Sequence, residues 1–404
     1  MADASGRRRI VIAGAGVAGS LLAAGLARRA DIDLLCLERA PGGARDDAGT
    51  GLNLGPNAIK CLRLFLPDHA RLIEANSLPW RRWTTFTVDG RVLMDLDLQT
   101  VADTPGVRIG WGDLYALLRA QIPGPVVRYG VEVVDLQPGH PTHALRIRDL
   151  HGREDTLGGI DLLIAADGRY SRLRALCLDD TTPAVRQLGV GLFRLLVPSM
   201  PDDPVDDYAQ WFNGANRLLA YRIPGERIYC AGSFPIPPDQ QVPEALKQQA
   251  HLAQAYLPQQ GRPSRAVRRL VDAIVQRVPE IHWARLQDAP ICLASSAGMM
   301  LVGDAAHPMV PTLGQGATQA VEDACVALDE IQAALDSGRP LAEVAPRTRA
   351  RRDERVRFVA AFSREASDTM LAGSDPVAGT LKKLEPAFMS KLARLYRDTP
   401  VFAS

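Results

Sequence analysis

The 404-residue sequence has no excess of either charge, since 47 Lys and Arg stand against 46 Asp and Glu. A net charge of +1 gives no whole-chain pull toward nucleic acid or acidic membranes. There is no Cys-x-x-Cys pair. Cys36, Cys61, Cys177, Cys230, Cys292 and Cys325 are scattered and lack a His-rich neighbourhood. That pattern argues against a disulfide framework or a zinc site and fits buried free thiols in a reducing cytosol. Beyond the N-terminal stretch, no apolar run reaches the about 18 residues that a membrane span needs. Nor is there a nucleophile elbow or a Ser-His-Asp spacing, so hydrolase chemistry has no support. What is present is an ordinary globular composition, 47% hydrophobic against 23% charged. A chain this long exceeds one compact core, and two intertwined domains are expected.

The N-terminus offers two readings. Arg7, Arg8 and Arg9 precede an apolar stretch over 10–27 and mimic a secretory signal. The spacing of Gly14, Gly16, Gly19 and Gly25, and the lack of a cleavage site before Asp31, favour a cytoplasmic chain with a different purpose for this segment. Residues 9–13 read as a strand buried on both faces. Gly14-Ala15-Gly16-Val17-Ala18-Gly19 follows, running into a helix over 20–29, and residues 33–37 form a second strand ending at Glu38. In such a unit Gly14 allows the tight turn, Gly16 lets a pyrophosphate approach, and Gly19 lets helix and strand pack closely. The helix N-terminus faces the phosphates, and Glu38 stands where a carboxylate binds ribose hydroxyls. The stretch 49–55 is also glycine-rich but has the wrong spacing. The chain therefore carries a single dinucleotide fingerprint.

Two further segments extend the pattern. Residues 161–174 read as a buried strand, a turn at Asp167-Gly168, and a helix start capped by Ser171. Met300-Leu301-Val302-Gly303-Asp304-Ala305-Ala306-His307-Pro308 is again a strand ending in a glycine turn. Pro311-Thr312-Leu313-Gly314-Gln315-Gly316-Ala317-Thr318 then leads into an amphipathic helix over 319–335, starting near Gly316. Its unpaired N–H groups and positive dipole end suit the N1–C2=O edge of a flavin ring.

With GAGVAG and Glu38, Asp167-Gly168, and GDAAHPMVPTLGQGATQAVEDA in this order, the chain resembles the single-component FAD-dependent aromatic hydroxylases. These are the group A flavoprotein monooxygenases, similar to p-hydroxybenzoate, salicylate and 6-hydroxynicotinate hydroxylases. The stretch 49–58 also resembles their early loop and helix. The resemblance spans residues 8 to about 365 and is weakest across 180–285. It implies an α/β fold: a Rossmann-like FAD-binding domain interleaved with an antiparallel β-sheet substrate domain and a C-terminal helical segment. The expected boundaries are 1–75, 101–180 and 286–345 for FAD, 76–100 and 181–285 for substrate, and 346–404 for the helical segment.

The resemblance also assigns residues. Gly14, Gly16, Val17, Ala18, Gly19, Glu38 and Arg39 would hold the ADP half of FAD. Asp304 would bond ribityl or ribose hydroxyls, and Gln315, Gly316 and Ala317 would line the pyrimidine edge. Asp167 would serve the diphosphate region and transient NADH or NADPH, which in these relatives has no Rossmann site of its own. Pro311 matches a proline beside the reacting face of the ring, and a plain turn residue is the alternative. One departure is visible. Where the family places an arginine three residues before a helix-opening leucine, this chain has Trp111 before Leu114. Either Arg108 substitutes from one turn earlier or FAD is held less tightly.

The middle segment has strand-like pieces at 190–197, 208–212, 217–223 and 228–234, expected to roof the flavin. Tyr221 aligns with an aromatic or His position facing the ring, where a phenol could orient or help deprotonate a substrate hydroxyl. A core tyrosine bonded to backbone is the alternative. Arg194 and Trp211 on the same sheet, and Asn53 and Leu54 on the early loop, are weaker substrate-binding candidates. His307 is expected to bond backbone in its turn. The Arg-rich segment 347–364, interrupted by Asp353 and Glu354, reads as a solvated, salt-bridged helix face. The activity implied is hydroxylation of an activated phenol or hydroxypyridine ring, carrying a carboxylate in several relatives. It would consume NAD(P)H and O2 through a flavin C4a-hydroperoxide. The expected partners are these small molecules alone, in a monomer or homodimer. Another flavoenzyme on the same scaffold, a halogenase or reductase, is the alternative, although the W-x-W-x-I-P halogenase signature is absent.

Overall fold

The computed structural model describes residues 7–43, 50–139, 142–178, 184–293 and 295–400; Gly49 of the early glycine-rich stretch lies outside them. Its first sheet is built on Arg8–Ala13, which pairs in parallel with Ile32–Glu38 on one side and Leu162–Ala165 on the other. Met299–Leu301 and Val127–Tyr129 extend it, also in parallel, and Ser295–Ser296 closes one edge antiparallel. Ile10, Val11 and Ile12 are fully buried. The run is continuous rather than alternating because both faces of the sheet are covered. On one face Ile10 and Ile12 pack with the helices Val17–Leu26 and Gln315–Ser337. On the other, Val11 and Leu37 pack on a three-stranded meander, Val131–Gln137, His143–Asp149 and Glu154–Ile160, which the sequence reading did not anticipate.

A second sheet has seven strands, in the order His282–Asp288, Arg186–Pro198, Arg227–Pro235, Asn216–Ile223, Tyr208–Asn213, Arg82–Thr87, Val92–Asp97. All its pairs are antiparallel except Tyr208–Asn213 with Arg82–Thr87. Alternation along each strand separates two faces. Leu218, Ala220, Ile228 and Cys230 face a core under the helix Arg265–Val275, while Leu219, Tyr221, Tyr229 and Ala231 face the opposite way. A small sheet of Gly51–Leu54, Gly106–Gly110 and Leu78–Trp80 lies between the two larger ones.

The long helix Gln315–Ser337 is bounded by left-handed glycines, Gly314 at φ 64° and Gly338 at φ 72°. Val344–Glu365 packs along it, and Pro386–Arg397 returns to place Leu392, Leu395 and Tyr396 against Trp80 and Tyr208. No helix among the described residues is long and apolar enough to cross a membrane.

One local expectation needs correction here, and another gains a partner. Asp353–Arg357 is indeed an exposed pair, at 2.8 Å. Arg352, however, is only 2% exposed and donates to Glu322 Oε2, Asp323 Oδ1 and Gln319 Oε1 at 2.7, 2.7 and 2.6 Å. Two carboxylates on the inner face of the long helix require a buried cation, so the Arg-rich helix turns inward at that point. His307 bonds backbone in its turn as expected, its N–H donating to Gly303 O at 2.9 Å, and its side chain adds a bond through Nε2 to Asp323 Oδ2 at 2.6 Å, where the same oxygen accepts the Gly303 N–H at 2.8 Å. The histidine is thus part of the frame under the Gly303-Asp304 turn.

Candidate active site

The glycine loop is shaped by contact. Gly14 has φ 104°, and a Cβ there would sit 2.4 Å from the Ala166 carbonyl oxygen. A Cβ on Gly19 would meet the Gly14 carbonyl at 1.9 Å, so strand and helix touch as the spacing requires. Gly16 is different. Its nearest neighbours would be Tyr115 Oη at 3.6 Å and Ala166 O at 4.0 Å, which leaves the space over the loop open. Gly16 opens the helix Val17–Leu26, and no side chain caps it. Glu38 at the end of the second strand accepts the Ala15 and Ala40 N–H groups, both at 2.8 Å. Arg39 is exposed beside it.

Arg108 and Asp167 do not point into this cleft. Arg108 is 3% exposed, and its guanidinium donates to the carbonyls of Pro79, Asp206 and Arg222 and pairs with Asp207 at 3.3 Å. It ties the small sheet to the seven-stranded one through Nε and Nη1. The arginine that does reach the loop is Arg119, one helix further on. Its Nε donates to Ala15 O at 2.9 Å, and a terminal nitrogen lies 3.5 Å from Glu38. The Asp167 carboxylate accepts the Arg172 and Leu173 N–H groups at 2.8 and 3.2 Å, capping the helix Arg172–Cys177 together with Ser171. Only the backbone around Asp167 underlies Gly14.

The second half of the cleft lies at the long helix. Gly316 faces Asp304, whose Oδ1 would be 3.5 Å from an added Cβ. Among the described residues the Asp304 carboxylate has no hydrogen-bond partner, and burial raises its pKa above the ordinary aspartate value. The first turn of the long helix also has no side-chain cap. Gln315 contributes only its backbone, because its fully buried amide is held by Asn57, Gln319 and Leu313. Two uncapped helix starts, an open glycine at each, and a carboxylate without a protein partner fit a dinucleotide carrying a flat ring.

From Asp304 and Gly316 a cavity of about 500 Å³ runs under the seven-stranded sheet. Pro311, Ala317, Asn53 and Trp111 line the end nearest the helix. Tyr208, Tyr221 and Tyr229 form a row across three strands, with ring centroids 5.8 and 5.0 Å apart. Burial drives the Tyr221 pKa well above the ordinary phenol value, with Arg108 opposing it weakly, so the group stays protonated and offers an O–H. Trp80, Trp83, Leu219, Met309 and Tyr396 complete the apolar wall. Arg194 stands exposed at the rim. Asn53 is 6% exposed, and its Oδ1 has no partner. Trp211 is corrected: it faces away from the cavity and stacks on Phe86 at 5.8 Å in the opposite core. It is one residue out of phase with Tyr208 and Gln210, and alternation turns it over.

A Rossmann sheet, one glycine fingerprint and an aromatic-walled chamber at the start of the long helix define a flavin-dependent oxygenase scaffold. No protein-family model matches the chain. It is 31% identical over 347 residues to the 3-amino-4-hydroxybenzoate 2-monooxygenase PtmB3 of Streptomyces platensis, with 82% of each chain covered. It is 27% identical over 334 residues to the 6-hydroxynicotinate 3-monooxygenase of Bordetella bronchiseptica, covering 80% of this chain and 82% of that one. Among solved structures, Klebsiella pneumoniae HpxO complexed with FAD and uric acid has a TM-score of 0.79 at 20% identity, covering 96% of each chain. The chain belongs to the FAD-dependent aromatic monooxygenases.

Proposed function

We propose that this enzyme inserts one atom of O2 into an electron-rich aromatic or N-heteroaromatic ring bearing a hydroxyl, with NADH or NADPH as reductant. Bound FAD would supply the electrons that activate O2. The groups suited to hold it are Gly14, Gly16, Val17, Ala18, Gly19, Glu38 and Arg39 on the nucleotide side. Asp304, Gly316, Ala317 and the backbone of Gln315 suit the ring side. Arg119, not Arg108, is the arginine placed for the phosphate region. The observation that carries the proposal is the continuity of the Asp304–Gly316 cleft with a chamber walled by Tyr208, Tyr221 and Tyr229.

The protein's own part is positioning and exclusion. Aromatic and aliphatic walls keep water from the reacting ring, which protects a short-lived oxidant. Tyr221, held neutral, donates to a substrate oxygen rather than removing its proton. Pro311, in the turn before the long helix, lines the cavity and would border the reacting face of a bound ring. The test is NAD(P)H oxidation across hydroxybenzoates and hydroxypyridines with product detection. Hydroxylated product in proportion to reductant supports the proposal, and peroxide alone with every ring overturns it.

A further inference from the structure

The helix Trp111–Arg119 carries two distinct rows of side chains. Leu114 and Leu118, one turn apart, are buried and fill the core beneath it. Trp111, Tyr115 and Arg119 follow one another at intervals of four, so they stand in a single row along the helix. The Trp111 and Tyr115 rings meet edge to face with centroids 4.8 Å apart, and the Arg119 guanidinium lies 4.9 Å from the Tyr115 ring centre. At one end of the row Arg119 donates to Ala15 O at 2.9 Å, and Tyr115 Oη is the atom nearest the open side of Gly16. At the other end Trp111, only partly buried, lines the chamber with Asn53, Pro311 and Ala317. Eight residues of helix rise about 12 Å, so the row has the length to run from phosphates on the glycine loop to a ring near Gly316. The start of the helix is fixed from two sides: the Trp111 backbone N–H donates to Thr50 O at 2.9 Å, and Asp113 pairs with Arg227 of the seven-stranded sheet. These anchors and the Tyr115 contact hold the indole in place before a ligand arrives, which lowers the entropy lost on binding.

We propose that Trp111 holds the ring half of FAD by apolar contact, while Arg119 at the far end of the same row holds the diphosphate. The inference rests on the reading of the cleft as an FAD site and adds which half of the cofactor each end of the row recognises. Arg108 is turned to the carbonyls of other segments, so at its chamber end this helix offers the cofactor an aromatic surface and no charge. An indole is large and stiff, and it binds a flat ring through contact area and ring quadrupole. A guanidinium suits phosphate oxygens instead, through charge-assisted hydrogen bonds. Tyr115 packs against both and keeps the two ends at a set separation. The two ends therefore discriminate between ligands. A nucleotide with phosphates and no flavin meets Arg119 and leaves Trp111 uncovered.

The experiment titrates the full-length apoprotein with FAD and with ADP in a calorimeter. Trp111→Ala should weaken FAD about tenfold or more and leave ADP within about twofold of wild type. Trp111→Phe, which keeps an aromatic face, should recover most of the loss. Arg119→Gln should weaken FAD and ADP by the same factor, about tenfold. The Tm of each apoprotein reports whether it is folded. If Trp111→Ala does not fold, Trp111→Leu and Trp111→Phe carry the test, with FAD weakened more by Leu than by Phe and ADP changed by neither. Unchanged FAD affinity in the folded Trp111 variants, or equal losses for FAD and ADP, overturns the proposal. The readings beneath it fail differently. Wild type that takes up no FAD overturns the cofactor assignment together with this proposal. The hydroxylase reading fails alone when FAD and ADP follow the expected pattern and no ring is hydroxylated.

Discussion

Arg352 and Glu322 meet at 2.7 Å in the protein interior, on two helices packed side by side, with Asp323 on the same guanidinium. Gly303, next to the cleft aspartate Asp304, hangs from this group through its N–H on Asp323. The salt bridge thus sets the position of a turn that faces the cavity. Replacing Arg352 by Met would remove the cation that both buried carboxylates share, leaving Glu322 to Arg355 and Asp323 to His307, and should cost about 3 kcal/mol. Urea unfolding should record the loss, and FAD content should fall with it because the Gly303-Asp304 turn loses its support.

The same group predicts the acid limit of stability. Burial alone would raise the Glu322 pKa, but Arg355 and Arg352 overcome it and hold the value at about 2, against 4.5 for an ordinary glutamate. A carboxylate depressed in the folded state stabilises fully above its unfolded pKa and loses that contribution as pH falls toward the folded one. Stability should therefore decline from about pH 5 to about pH 2, by a Glu322 share on the order of 3 kcal/mol. Chemical denaturation at stepped pH measures it. Glu322→Gln should be less stable at pH 7 and flatter over this window.

Gly14 and Gly16 should respond differently to the same small change. Gly14→Ala pushes a methyl onto the Ala166 carbonyl at a positive φ and should cost about 1–3 kcal/mol. Gly16→Ala meets nothing closer than 3.6 Å, so Tm should hold while FAD affinity drops at least tenfold. Thermal melts of the apoprotein beside FAD titrations separate the two.

Tyr221 and Trp211 lie on neighbouring strands and should separate function from packing. Tyr221→Phe keeps the contacts to Tyr208 and Tyr229 and should lower kcat about tenfold or more with little change in Tm. Because the phenol stays protonated, wild type and variant should share the shape of their pH–rate profiles below about pH 10. Trp211→Ala should leave kcat/KM near wild type and cost about 3–5 kcal/mol of stability. Steady-state kinetics over pH, with unfolding curves, checks both.

Legibility in the sequence follows how far apart the cooperating residues lie. Gly14, Gly16, Gly19 and Glu38 sit within one βαβ unit, so their spacing alone predicts their contacts. Asp304 and Gly316 were readable because a strand, a turn and a helix start follow each other directly. Arg217 and Tyr229 were not singled out, although period-two counting from Tyr221 places Arg217 on the same face. Trp211 was misassigned for the reverse reason, a single step of strand phase. The exchange of Arg108 for Arg119 depends on where a helix axis passes, which no local pattern encodes. Arg352 looked like a surface residue because its partners lie 29 and 30 positions away on another helix. The meander over 131–160 is not legible in the sequence because its outer strand, Glu154–Ile160, is largely exposed and carries little apolar signal.

Tyr396, on the helix Pro386–Arg397, closes the far wall of the chamber. During synthesis the nucleotide cradle leaves the ribosome hundreds of residues before that wall. The chamber stays unwalled on that side until the helix Pro386–Arg397 docks. The order of the elements along the chain therefore separates the making of the glycine cradle from the walling of the chamber in time.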